Sequence, residues 1–308
     1  MTGKGGVGRS SVTGALAKYA QRNGKRVLVA EIGDAGDDYS PLAGHFGFRR
    51  LPDAPAEIGP GIKGVTLQAR IGQELFFASV LHTKTLVHAA MASETVRRLL
   101  NAGPSFREMG VYFQLLTLLR AHRGDGTPEH EIIILDMPAT GHTLSLTGLP
   151  EQLLKLIPRG PIAEALREGQ GYMNDPAKSA AVIVTLPETL PISECLELAE
   201  GLHRTNVPTG GIIVNRVPAD PFTPVERAAI RPLVERLRLY GAEGFGRVDL
   251  ARKEARRLRA ATALPVLALP ESAHPEGDIM TFLADALDRT ETNALLFGTP
   301  LEAVRIAS

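Results

Sequence analysis

The densest chemistry in the chain lies in one short stretch, Gly3-Lys4-Gly5-Gly6-Val7-Gly8-Arg9-Ser10. Glycines at this spacing let the backbone wrap so that successive N–H groups face one point. A helix starting directly behind them adds its positive end, and the pair grips phosphate. Ser10 offers the hydroxyl that ligates Mg²⁺ in such loops, and Ser11 follows it as a further binding residue. The pattern is G-x-x-x-x-G-K-[ST] except at Arg9, and Lys4 directly after the first glycine makes it a more specific variant. Arginine keeps the positive charge, but its planar fork is bulkier than an ammonium group and is no compact point charge. A second chemical element is Asp136, at the end of the apolar run "EIIILD" (131–136). A carboxylate there can hold Mg²⁺ through its water shell.

Such residues need a scaffold that brings the loop beside the end of an apolar strand. "RVLVAEI" (26–32), "GVTLQARI" (64–71), "EIIILD" (131–136), "AAVIVTL" (180–186), "GGIIVNRV" (210–217) and "LPVLALP" (264–270) read as strands. Between them lie long helical stretches, which predicts an α/β fold with a doubly wound, mostly parallel sheet. No linker divides the chain, so one domain over 1–308 is expected, with helical insertions at about 74–122 and 149–178. The stretch "ADPFTP" (219–224) reads as a loop before a helix. Hydrophobic residues make up 44% and charged residues 22%, as in an ordinary globular protein. The 34 basic and 34 acidic residues balance, so charge gives no argument for a nucleic-acid partner. A single cysteine, Cys195, excludes an intrachain disulfide or a thiolate-rich zinc site and fits a reducing cytoplasm. No apolar run is long enough to span a bilayer, and the start is not a signal peptide.

The loop "GKGGVG" resembles that of the deviant P-loop ATPases. Within that group "ILDMPATGHTLSL" (134–146), "VNRV" (214–217) and "LALPESAHPEGD" (267–278) are similar to the branch of the arsenite-pump ATPase and the ATPase that delivers tail-anchored membrane proteins. The resemblance implies a P-loop topology, ATP and Mg²⁺ as cofactors, and a site built from Gly3, Gly5, Gly6, Val7, Gly8, Arg9, Ser10 and Ser11. It also implies a γ-phosphate-sensing loop shaped by Pro138 and Gly141, an adenine-reading Asn215, and Pro270 flanking the base. Lys4 is implied to reach across a homodimer, or a heterodimer with a related ATPase, to the partner's phosphates. Closure of that dimer would couple the ATP cycle to a protein client or a membrane process. The zinc and metalloid cysteines of the branch have no counterparts, and a DNA-partition role fits poorly.

Three departures bear on activity. Arg9 replaces lysine in the phosphate clamp. After "RVLVAEI" similar proteins show two aspartates one residue apart, the second orienting the attacking water. Here that position falls on Gly33, and Asp34 is the nearest replacement, while Asp37 or Asp38 would need a different loop path. The third departure is the strand that should lead into the loop. Met1-Thr2 is expected to be too short to provide it, which favours a natural start upstream. The first two departures raise a rival expectation, a catalytically weakened subunit that pairs with an intact paralogue.

Overall fold

Branched apolar runs form the strands, and amphipathic stretches between them form helices that cover both faces. The computed structural model describes residues 1–34, 36–81, 87, 92–93, 104–138, 140–156, 158–237, 242–273 and 277–287. The strands among them are β1 Thr2–Gly3, β2 Val27–Ile32, β3 Ala56–Gly59, β4 Ile62–Leu67, β5 Ile132–Asp136, β6 Ala181–Thr185, β7 Thr209–Val217 and β8 Val266–Pro270. The helices are α1 Arg9–Arg22, α2 Pro41–His45, α3 Ala69–Leu81, α4 Pro104–Leu119 and α5 Thr140–Leu156. They continue with α6 Pro161–Met173, α7 Thr189–Arg204, α8 Pro224–Arg236, α9 Ala242–Ala261 and α10 Ile279–Leu287.

Hydrogen bonding gives two four-stranded ladders, β3-β4-β2-β5 and β1-β6-β7-β8. Met1 joins them. Its amine donates to the Leu135 carbonyl at 2.6 Å, and Met137 N–H donates to the Met1 carbonyl at 3.0 Å. On the other side Thr2 and Gly3 pair in parallel with Ile183 and Val184. The expectation that Met1-Thr2 could provide no strand is thus corrected: Thr2–Gly3 form β1, and Met1 to Gly3 lie between β5 and β6. Among the described strands every pairing is parallel except β3 with β4, a short antiparallel edge with no signal in the sequence.

Alternation along the strands sends side chains to two cores. Val27 and Val29 of β2 pack with Ala17 and Ala20 of α1 and Leu42 of α2. Leu28 and Ala30 face the opposite layer, with Val111 of α4 and Leu146 of α5. In the other half, Val184 and Ile213 meet Val12 and Ala15 of α1 and Leu283 of α10, while Ile183, Ile212 and Val214 meet Ile192 and Leu198 of α7 and Leu258 of α9. A sheet covered on both faces buries leucines completely, Leu28 and Leu67 among them, at about 1.5–3 kcal/mol each. The layer over β4 contains one very close helix crossing. A Cβ on Gly72 of α3 would strike the Gly110 carbonyl of α4, and one on Gly110 would strike Ala69, so both positions require glycine.

Within the stretch 74–122, α3 and α4 are described, and most of 82–103 lies outside the described residues. The segment "PATGHT", expected as a loop, is helical from Thr140 onward, because α5 begins there and runs through Pro150 to Leu156. Gly141 therefore sits in the first turn of a helix. The "ADPFTP" loop leads into α8 through a capping box, with Thr223 and Glu226 bonded reciprocally and Pro224 at the first helical position.

Candidate nucleotide-binding site

The loop is fixed from below and open above. Val7 is 1% exposed and locked in the core beneath α1. Gly5 and Gly6 have nothing within 4 Å of the points where side chains would stand. Gly8 precedes α1 at φ 83°, a left-handed conformation that L side chains rarely adopt. A Cβ there would also collide with the Asn215 amide. No side chain caps α1 and its first turn holds no acid, so its leading N–H groups are left for an anion.

Three residues of the loop and β5 converge. Ser10 Oγ donates to Asp136 Oδ2 at 2.6 Å, and Arg9 Nε donates to Asp136 Oδ1 at 2.5 Å. A second Arg9 nitrogen, Nη1, donates to the Gly3 carbonyl at 3.2 Å. The Asp136 side chain is only 5% exposed, so a buried carboxylate here has both oxygens satisfied by the loop. The donor set, one hydroxyl and one carboxylate, suits a hard cation. The guanidinium of Arg9 supplies positive charge at the same carboxylate, so it competes with such a cation as well as accompanying it.

The remaining expected residues fall around this centre. Lys4 Nζ is held within the chain by Glu194 of α7 at 2.6 Å, and the other Glu194 oxygen is buried without a hydrogen-bond partner. Ser11 Oγ lies 2.9 Å from His45 Nε2 at the end of α2, and burial pulls the His45 pKa below its ordinary value. Asn215, 3% exposed at the end of β7, donates from its amide to the Val7 carbonyl at 2.9 Å, tying the loop to the neighbouring strand. Pro270 ends β8 and pairs with Val217. The side chains of Gly141, His142 and Thr143 lie outside what is described, although the helix they open begins four residues past Asp136.

The segment after β2 is organised differently from its expected form. Glu31 sits opposite Asp136 in the β2–β5 register. Burial raises its pKa above the ordinary carboxylate value, opposed by a hydrogen bond that Ser40 donates to it. Asp34 takes both carboxylate contacts of Arg107 from α4, each at 2.6 Å. Asp37 instead accepts the Asp34 backbone N–H at 2.7 Å, and its Oδ2 stands 3.3 Å from where a Cβ on Gly33 would be. A carboxylate beside the expected water-orienting position thus comes from Asp37, three residues past Asp34 round a tight turn, while the Asp34 carboxylate is engaged by Arg107. Glu194 and His45 had no signal in the sequence, since each reads as an ordinary helix residue. Basic residues of α9 tie that helix to its surroundings, Arg252 pairing with Asp220 and Arg257 donating to Ser193 of α7.

The match to known proteins follows this geometry. A model of the anion-transporting ATPases, the ArsA ATPase family, matches residues 1–159. The chain belongs to this family. ATPase BagA of Mycobacterium tuberculosis is 27% identical over 227 residues, which cover 71% of this chain and 65% of that protein. A Halobacterium salinarum protein provisionally named arsenical pump-driving ATPase is 22% identical over 256 residues, 77% of this chain and 38% of that one. An Aquifex aeolicus protein provisionally named arsenical pump-driving ATPase 2 is 23% identical over 273 residues, 77% of this chain and 87% of that one. The chain thus spans just under two thirds of the BagA sequence. ArsA ATPases bind nucleotide, and the family match covers the loop, Ser10 and Asp136. Among the described residues, no helix is long and apolar enough to cross a membrane.

Proposed function

We propose that this chain binds Mg²⁺-ATP and works as an ATPase in a dimer whose closure drives a protein or membrane process. One observation carries the reading: Ser10 and Arg9 meet on the buried Asp136 beneath an open glycine loop. Ser10 would ligate the ion directly and Asp136 would hold its water shell, while the α1 N–H groups and loop amides cradle the phosphates. Bound Mg²⁺-ATP supplies the cleavable γ-phosphoryl group and the cation that neutralises its charge. The task left to the chain is to aim water and exclude bulk solvent; Asp37, beside Gly33, is proposed for it, because Asp34 is engaged by Arg107. Lys4 would leave Glu194 and contact the phosphates of the partner subunit. Soft-metalloid activation is not part of the proposal, because Cys195 is buried and its thiol is pushed up to about 12 by that burial.

The second reading, a weakened subunit paired with an intact paralogue, is favoured by Arg9 lying on Asp136 and by the glycine at position 33. ATP turnover by the purified chain, alone and mixed with its nearest paralogue, separates the two. Turnover by the chain alone, lost without Mg²⁺, supports the ATPase. Nucleotide binding without turnover until the paralogue is added supports the paired subunit. A chain that binds no nucleotide in either state overturns both.

A further inference from the structure

Among the described residues, Lys4, Arg9 and Arg216 stand at the loop, and the first two are engaged. Lys4 is held by Glu194, and Arg9 by Asp136 and the Gly3 carbonyl. The third is Arg216, one residue past Asn215 on β7. Its backbone is left-handed, φ 54°, at a point where the β7–β8 register shifts between Val214 and Val217. A non-glycine residue occupies that region only where its surroundings hold it. They do so here: Asn215 is bonded to Val7 on one side, and Val217 pairs with Pro270 on the other. The kink turns the Arg216 side chain toward the junction of loop and helix, where its Nε lies 3.9 Å from the point at which a Cβ on Gly8 would stand. The residue is exposed, and among the described residues no carboxylate pairs with it.

We propose that Arg216 is a phosphate-binding residue of this site, supplying from β7 the charge that Arg9 spends on Asp136. The inference rests on the nucleotide-binding reading above and adds to it a residue outside the glycine loop. A guanidinium at the head of α1 meets the same anion as the free N–H groups there, and its fork can take two phosphate oxygens together. A solvated surface arginine would need neither the left-handed backbone nor the approach to Gly8. At this position glycine is the relaxed choice and arginine the strained one, which separates a structural role from a binding role.

The test is fluorescence titration of the full chain with a labelled, non-hydrolysable ATP analogue, with ADP, and with adenosine. Wild type is compared with Arg216→Ala, Arg216→Gly and Arg216→Lys, and thermal unfolding is followed for each. Arg216→Ala and Arg216→Gly are expected to bind ATP analogue and ADP about 10- to 100-fold more weakly. Adenosine affinity should stay unchanged, and Arg216→Lys should recover part of the loss. Arg216→Gly should unfold at the wild-type temperature or above while still losing phosphate affinity, an outcome a purely structural arginine would not give. Wild-type binding with variants within twofold of it overturns this inference and leaves the site reading intact. Equal losses for adenosine and ATP would assign Arg216 to the base and also overturn it. Absence of wild-type binding overturns the site reading itself.

Discussion

At the glycine loop, Arg9 and Ser10 both close on Asp136, whose side chain is 5% exposed. Across the site, Asp34 meets Arg107 with both side chains more than half exposed, at 60% and 54%. The first cluster lies where β1, β5 and α1 converge, so burial makes every polar group there find a partner. The second hangs on a turn beyond β2, where solvent screens its charges and an ion pair is worth about 0–1 kcal/mol. The end proposed to hold phosphate is therefore a buried part of the fold, and the end proposed to aim water is an exposed turn whose ion pair contributes little. That difference lets a conventional glycine loop stand beside a segment whose carboxylates depart from the expected spacing.

The largest expected effect comes from breaking the rigid end. Gly8→Val places a β-branched side chain in a left-handed position, at about 1–2 kcal/mol from the backbone alone. It also drives a Cβ into the Asn215 amide, pushing β7 away from the loop. Calorimetric titration with a non-hydrolysable ATP analogue should show affinity reduced at least about 100-fold. Wild-type affinity in this variant would remove the loop from nucleotide binding.

The exposed end is sharpened by pitting its two carboxylates against each other. Asp37→Asn should lower steady-state turnover about 10- to 100-fold, toward the range of lost acid–base assistance, while nucleotide affinity holds. Asp34→Asn removes an exposed pair with Arg107 and should change turnover no more than about fivefold. Gly33→Asp should not help, since its Cβ would stand 3.0 Å from the Thr66 methyl and 3.3 Å from the Asp37 carboxylate. The opposite ranking, with Asp34 dominant, would return the role to the residue nearest in sequence.

The same contrast decides what could be read from the sequence. Gly8, Ser10 and Asp136 are legible because phosphate chemistry fixes residue type and spacing together, and the apolar runs around them alternate as buried parallel strands must. The six strands expected from those runs appear within a few residues of their predicted ends. β1 gave no sequence signal because it is two residues long, held by its pairing with β6 and by one hydrogen bond donated and one accepted at Met1. β3 is four residues at an antiparallel edge, too short for periodicity to mark. How Asp34 and Asp37 divide their partners is set by a turn and not by sequence distance, with Asp34 drawn to Arg107 and Asp37 brought beside Gly33. Glu194 and Arg216 depend on tertiary neighbours, α7 beside the loop and a bulge in β7, which no local pattern encodes.

The smallest expected effect lies at the border of the two regions, where Lys4 meets Glu194. The pair joins the loop to α7 at 2.6 Å, with the lysine 40% and the glutamate 29% exposed, so solvent discounts it to about 1 kcal/mol. If Lys4 must leave Glu194 to reach a partner's phosphates, this contact opposes closure by that amount. Glu194→Gln keeps the shape of the side chain and removes its charge. Sedimentation with a non-hydrolysable ATP analogue should then show association about 3- to 10-fold tighter than wild type. Lys4→Ala, which removes the reaching group itself, should abolish the nucleotide-driven part of association while leaving monomer binding nearly intact. The two changes act on one contact yet in opposite directions, which a shared folding defect could not produce. Association weakened by Glu194→Gln would make the glutamate a part of the interface, and a wild-type chain monomeric at every nucleotide concentration would remove the dimer from the mechanism.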